Sequence, residues 1–157
     1  PGGTPLGIKL RNMALDGEAK SKIAEMFLFM ADRAEHIEEV IKKNKNDTII
    51  SDRSMISGIA YASALSIDEL INLNLIATNN TLPTHVILLE LTPHELKFRL
   101  SQKENDSIEL RGIDYLINIQ NRMKETIKRL NINHIIIDAS LKIEEIEKKI
   151  EDFINGE

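Results

Sequence analysis

Three short runs of apolar, largely β-branched residues constrain the fold of this chain more than any other feature: Thr48-Ile49-Ile50, residues 85–91 (His-Val-Ile-Leu-Leu-Glu-Leu) and residues 134–137 (His-Ile-Ile-Ile). Continuous apolar runs, unlike alternating ones, suit strands covered on both faces, and each run here is flanked by longer segments of helical period. Strands that alternate with helices make an α/β fold around a parallel sheet. With 157 residues the chain has the length of one domain, so a single domain is expected over residues 1–157.

Caps set the expected helices. Ser66-x-x-Glu69 and Thr92-Pro93-His94-Glu95 both have the spacing of a capping box, the second with Pro at the first helical position. A short helix is expected to begin near Leu6. A long one is expected over residues 19–43, with Glu38/Lys42 and Glu39/Lys43 as i,i+4 pairs on a solvated face. Ile143, Ile146, Ile150 and Phe153, with Gly156 just beyond, mark a packed C-terminal helix. Residues 102–107 are polar and lie between helical segments, as a surface loop does.

Charge and composition exclude several kinds of function. A net charge of −5 argues against a general nucleic-acid binder or a polybasic membrane binder, so an anionic ligand must be held by a few placed arginines. The absence of Cys excludes disulfides, thiolate metal sites and a Cys nucleophile, and fits a reducing compartment, with the cytoplasm as the default. No apolar run approaches the roughly 20 residues that cross a bilayer, and the first residues have neither a basic start nor an apolar signal core.

Asp52-Arg53 follows directly on the first apolar run and is expected at the carboxyl end of a strand, where open α/β sheets bind ligands. An Asp there can organise Mg²⁺ and its waters, and the adjacent Arg can neutralise a phosphoryl group in transfer. The same pair would equally serve as a helix cap beside a solvated Arg. Phe29 and Arg33, four residues apart, share a helix face, so a ring to stack on a base and a fork to bond its carbonyl or a phosphate project together. A helical Phe also commonly belongs to the core, and an Arg one turn on commonly ends the stripe in solvent. Phe27 and Met30 fall on other faces and are expected in the core, while His36 is expected at the surface or in helix packing. Arg11 is a lone helical Arg, a type that usually faces solvent. Tyr61 follows Ser57-Gly58-Ile59-Ala60, a small-residue stretch that lets either a ligand or another helix come close. Asp138 is expected as a cap or turn. The chain opens on Pro1-Gly2-Gly3-Thr4, a loop, and holds no G-x-x-x-x-G-K-[ST] phosphate loop, so either the fold is of another kind or the true start is missing.

In order and spacing, Pro-Gly-Gly-Thr at 1–4 with Leu6-Gly7 and Arg11, Phe29-x-x-Asp32-Arg33-x-x-His36, Ser51-Asp52-Arg53 and Ser57-x-x-x-Tyr61 resemble the successive motifs of bacterial thymidylate kinases. Leu82-Pro83 and Asp138-Ala139-Ser140 match that family too, and the resemblance covers essentially the whole chain. It implies a P-loop nucleoside monophosphate kinase-like α/β fold, a parallel sheet flanked by helices, with the N-terminal strand and P-loop absent from this chain and expected before Pro1. It further implies transfer of the ATP γ-phosphoryl group to dTMP, giving dTDP for dTTP synthesis, with Mg²⁺, by a cytoplasmic homodimer. By position, Phe29 would stack on thymine and Arg33 would bond the base edge. Arg11 and Arg53 would hold the dTMP phosphate, with Arg53 following charge during transfer, and Asp52 would help hold Mg²⁺. Tyr61 would pack on the sugar and disfavour a 2′-hydroxyl, with Ser57 close to the nucleoside. Arg99 and Lys103 would serve ATP, and residues 102–109 would form a lid. Some features depart from the family pattern. Without a P-loop the chain as written is expected to be inactive. Gly58 and Ala62 stand where many relatives carry polar residues that contact thymine, and the lid reads Asp106-Ser107-Ile108-Glu109 where relatives often carry an Arg second. The rival readings are a kinase for another nucleoside monophosphate and a non-catalytic nucleotide-binding or interaction module on the same fold.

Overall fold

The computed structural model describes residues 2–102 and 109–156. Lys103 and residues 104–108 of the expected lid therefore lie outside the described residues, as does Pro1. The chain divides into two compact units, Pro1–Leu82 and Pro83–Glu157.

The first unit is helical. Thr4 starts α1 (Pro5–Leu15) by accepting a hydrogen bond from Gly7 N–H at 2.9 Å, and Pro5 sits in the first turn, where its missing N–H costs nothing. Ser21 starts α2 (Lys22–His36) by accepting from the N–H groups of Ile23 and Ala24, so the helix opens at Lys22 rather than Ala19. Past His36 the ladder widens into a π turn, Ile37–Ile41, then tightens into a 3-10 turn, Lys42–Asn44. The expected ion pairs Glu38–Lys42 and Glu39–Lys43 both form there, exposed, and each contributes only about 0.3–0.5 kcal/mol. Ser54 caps α3 (Met55–Tyr61), and the Ser66–Glu69 box caps α4 (Ile67–Ala77) with both of its reciprocal bonds made.

Packing follows the apolar stripes. α1 lies along α2, and α4 lies against both α2 and α3. Met26, Met30, Met55, Ile56 and Ile71 are buried here, and Ile59 and Leu70 are wholly so. Met30 is in the core as expected, but Phe27 is 50 % exposed. The Met26–Met30 pair defines the inward stripe, and one residue onward is a rotation of about 100° away from it. Thr48-Ile49-Ile50 does not form the expected strand. All three residues are exposed, Ile50 at 90 %. A strand exists only through its ladder to a neighbour, and among the described residues the first unit has no strand to pair with.

The second unit carries the parallel sheet. β1 (His85–Glu90) and β2 (Asn133–Asp138) pair in parallel register, from His85 opposite Asn133 to Glu90 opposite Asp138. Between them run α5 (Pro93–Leu100), a 3-10 turn at Glu109–Arg111 and α6 (Ile113–Leu130), the helical crossover that a parallel pair demands. Thr92 caps α5, accepting from Glu95 N–H at 3.2 Å with Pro93 in the first turn. α7 (Ile143–Asn155) lies against β2 and ends at Gly156, whose φ of 76° is the left-handed C-terminal turn that favours glycine.

Leu88, Ile119, Ile127, Ile132 and Ile137 are buried in this unit. Gln120 of α6 completes β1: its amide donates to Leu91 O at 3.0 Å and accepts from Leu91 N–H at 2.9 Å, standing in for one more rung of the ladder. Expected coverage on both faces holds only in part, because Ile87, Leu89 and Ile136 are 36 %, 49 % and 41 % exposed. α7 is likewise less packed than its spacing suggests, with Ile143 at 70 % exposure. The rest of the expected stripe, Ile146, Ile150 and Phe153, is half-buried, with Phe153 edge-on to His85 at 5.4 Å.

Leu70→Ala removes a wholly buried side chain at the centre of the first unit and should cost about 2–5 kcal/mol in chemical denaturation. Ile50→Ala, in the run that does not pair, should change stability by less than about 0.5 kcal/mol.

Candidate active site

Helix α2 grips the turn before α1. Asp32 is buried, and its Oδ1 accepts from Gly2 N–H at 2.9 Å, thirty residues away in sequence. A β-carbon at Gly7 would collide with that same Oδ1 and lie 3.0 Å from Thr4 Oγ1. A β-carbon at Gly3 would lie 2.7 Å from His36 Nδ1, so His36 is a packing histidine, as expected. Gly2 has a φ of 88°, a conformation that favours glycine. The Arg11 side chain passes over it, with Cδ 3.1 Å from the Gly2 β-carbon position.

Arg33, the next residue of α2, points into the unit. Its Nη1 donates to Asn74 Oδ1 of α4 at 2.6 Å. Its guanidinium also lies on the backbone of α3: a β-carbon at Gly58 would overlap Nη2 and come within 3.2 Å of Cζ. Burial pushes the Arg33 guanidinium below its usual range, while the Asp32 carboxylate acts in the opposite direction. It remains a cation at neutral pH. Gly58 thus gives the close approach that small residues permit, here to the guanidinium, whereas Ile59 and Ala60 are core. Phe29 is half-buried one turn before Arg33 on the same face.

Arg53 takes a left-handed backbone conformation with φ of 70°, which costs a non-glycine residue about 1–2 kcal/mol. Ser51 Oγ donates to its carbonyl at 2.8 Å. Its guanidinium carbon stands 5.6 Å from the centroid of the Tyr61 ring, a cation–π contact. Asp52 neither ends a strand nor caps a helix. The preceding run is unpaired, and the cap of α3 is Ser54, whose N–H donates to Ser57 Oγ at 3.4 Å. Among the described residues, the side chains of Asp52 and Arg11 have no hydrogen-bond or salt-bridge partner.

These contacts meet on α3. Gly58 and Tyr61 are three residues apart and so are neighbours on one helix face. Arg33 rests against the first and Arg53 over the second, which brings the α2 pair and the Asp52-Arg53 segment to one place. Asn74 was not foreseen. Its signal was legible, for a polar residue stands four after Leu70 and three after Ile71 on the buried stripe of α4.

In the second unit a hollow of about 470 Å³ opens at the carboxyl ends of the strands, lined by Glu90, Thr92, Pro93, Gln120 and Asp138 among others. Asp138 makes the expected turn, its Oδ1 accepting from Ser140 N–H at 2.8 Å. Hydrogen bonding from Ser140 holds that carboxyl below the usual carboxylate range. Arg99 Nη2 donates to Ala139 O at 2.5 Å, tying α5 to the loop after β2.

A family model described as thymidylate kinase matches residues 1–150. The thymidylate kinase of Aliarcobacter butzleri is 81 % identical over 155 residues, covering 99 % of this chain and 82 % of the relative. That of Wolinella succinogenes is 52 % identical over 150 residues, covering 96 % and 79 %. That of Sulfurimonas denitrificans is 48 % identical over 158 residues, covering 99 % and 83 %.

Gly7→Ala should destabilise the first unit by about 1–3 kcal/mol through overpacking against Asp32 and Thr4. Thermal unfolding would register the loss, and an unchanged melting temperature would mean that the turn is not moulded on α2.

Proposed function

The chain belongs to the thymidylate kinase family, and from that premise we propose that its first unit binds dTMP, with the base at Phe29 and Arg33 and the phosphate at Arg53 and Arg11. Its reaction is transfer of the γ-phosphoryl group of ATP to dTMP, giving dTDP. The observation that carries the assignment of roles is the meeting of two arginines on one face of α3, Arg33 against Gly58 and Arg53 over Tyr61. A nucleotide lying along that face meets one cation at its base and another at its phosphate. Phe29 supplies a ring for stacking, and Tyr61 supplies an apolar wall for the sugar, braced by the Arg53 guanidinium. Ser57, whose hydroxyl takes part in the α3 capping box, lies one residue before Gly58 beside the nucleoside.

A dTMP phosphate oxygen attacks the γ-phosphorus in line as the bond to the β–γ bridging oxygen breaks and ADP leaves. The protein positions the two anions and neutralises their charge. Arg53 and Arg11 reduce the repulsion between them, and Arg53 follows the charge as it shifts. Asp52 is exposed and its carboxylate is unpaired among the described residues. That fits Mg²⁺, which is usually held by one or two carboxylates together with substrate phosphates and water. When bound, the ion supplies charge neutralisation on the phosphates. Arg99 and Lys103 are proposed for ATP; the hollow at the strand ends, near the loop that Arg99 holds, supports the first of these. A homodimer is proposed as well, supported by the half-exposed apolar residues Met13, Leu15, Ile23 and Phe27 on α1 and α2. No helix among the described residues is long and apolar enough to cross a membrane, and the proposed compartment is the cytoplasm. Family membership does not favour a non-catalytic module.

In the whole protein, Arg53→Ala should lower turnover by a few orders of magnitude, roughly as other phosphoryl-clamping arginines do; wild-type turnover would remove its role. In thermal-shift titrations dTMP should stabilise more than dUMP, dCMP or dGMP. A larger shift with another monophosphate would reassign the acceptor.

A further inference from the structure

A buried side chain outside the proposed set of ligand-binding residues controls one of them. We propose that Asn74 is a positioning residue that fixes the Arg33 guanidinium for the edge of the thymine base; this rests on Arg33 being the base-binding group. Asn74 is 1 % exposed. Its Oδ1 accepts from Arg33 Nη1 at 2.6 Å, and its Nδ2 donates to Leu70 O at 2.7 Å. A guanidinium only donates and a carbonyl only accepts, so these two partners permit one orientation of the amide. The bond to Leu70, one turn back on the same helix, keeps the amide from swinging.

Arg33 is therefore held from two sides. Asn74 accepts from Nη1, and the bare backbone at Gly58 leaves room for Nη2. A long side chain that would otherwise sample many rotamers is confined before any ligand arrives. The remaining donors keep their direction, so a base meets a preorganised fork and does not have to order it on binding. Lysine could not replace Arg33, since a point charge has no plane to fix. Asn74 touches no substrate in this arrangement and acts through Arg33 alone.

The test is steady-state kinetics of the whole protein with dTMP and ATP varied separately, together with melting temperatures. The variants are Asn74→Leu, Asn74→Asp, Arg33→Ala and the double variant Arg33→Ala/Asn74→Leu. Asn74→Leu removes the acceptor at similar volume and should raise KM for dTMP roughly ten- to a hundredfold, the effect of one hydrogen bond to a charged group. KM for ATP should stay unchanged. Asn74→Asp keeps an acceptor for Arg33 but loses the donor to Leu70. It should therefore melt lower while holding KM for dTMP near wild type, separating position from stability. The double variant should bind dTMP no worse than Arg33→Ala, because the two residues act as one unit. Should Asn74→Leu not fold, Asn74→Ser withdraws the carbonyl and is judged by the same criteria. The proposal is overturned if the folded Asn74 variant keeps wild-type KM for dTMP, or if its effect adds fully to that of Arg33→Ala. Arg33→Ala with unchanged KM for dTMP would instead overturn the base-binding role of Arg33, and the proposal with it.

Discussion

The first unit is organised around a guanidinium largely withdrawn from water. A buried cation must be hydrogen-bonded and offset by nearby charge, or the fold that buries it loses several kilocalories. Arg33 meets those conditions through three residues that would otherwise look unrelated: Asn74, a polar group on the apolar stripe of α4; Gly58, a glycine inside α3; and Asp32, a buried carboxylate beside it. Each of the three is unfavourable taken alone. A helical glycine costs about 1 kcal/mol against alanine, and a buried amide or carboxylate without partners costs more. Together they make one site in which a charged fork has a single orientation.

Helix α2 distributes the task by residue. Asp32 turns toward Gly2 and the start of α1, Arg33 toward α3 and α4, and His36 toward Gly3. The spacing Phe-x-x-Asp-Arg-x-x-His is the one-dimensional trace of a helix that faces two neighbours at once. One helix thus holds both the Gly-Gly-Thr turn and the packing around Arg33. The left-handed backbone of Arg53 stores strain at the matching point on the other side, and its side chain is steadied over Tyr61.

What could be read from the residues followed locality. Caps at Ser66 and Thr92, the two strands of the second unit and the face shared by Phe29 and Arg33 all depend on neighbours within a turn or on an unbroken run of β-branched residues. What was misread depends on partners far away in sequence. Thr48-Ile49-Ile50 has the composition of a buried strand and no ladder to join, so Asp52 does not sit at a strand end. Phe27 has the chemistry of a core residue and the wrong angle on α2. The roles of Asn74 and Gly58 require knowing that Arg33, 41 residues before one, reaches both of them.

The central claim is that Arg33 and Arg53 converge on one nucleotide. A crystal structure of the whole protein grown with dTMP tests it most directly. The account predicts thymine stacked on Phe29 with its edge within hydrogen-bond distance of Arg33, the Arg33–Asn74 bond intact, and the phosphate at Arg53. A nucleotide seated elsewhere, at the strand ends of the second unit for example, with Arg33 contacting only Asn74 and Gly58, would contradict it.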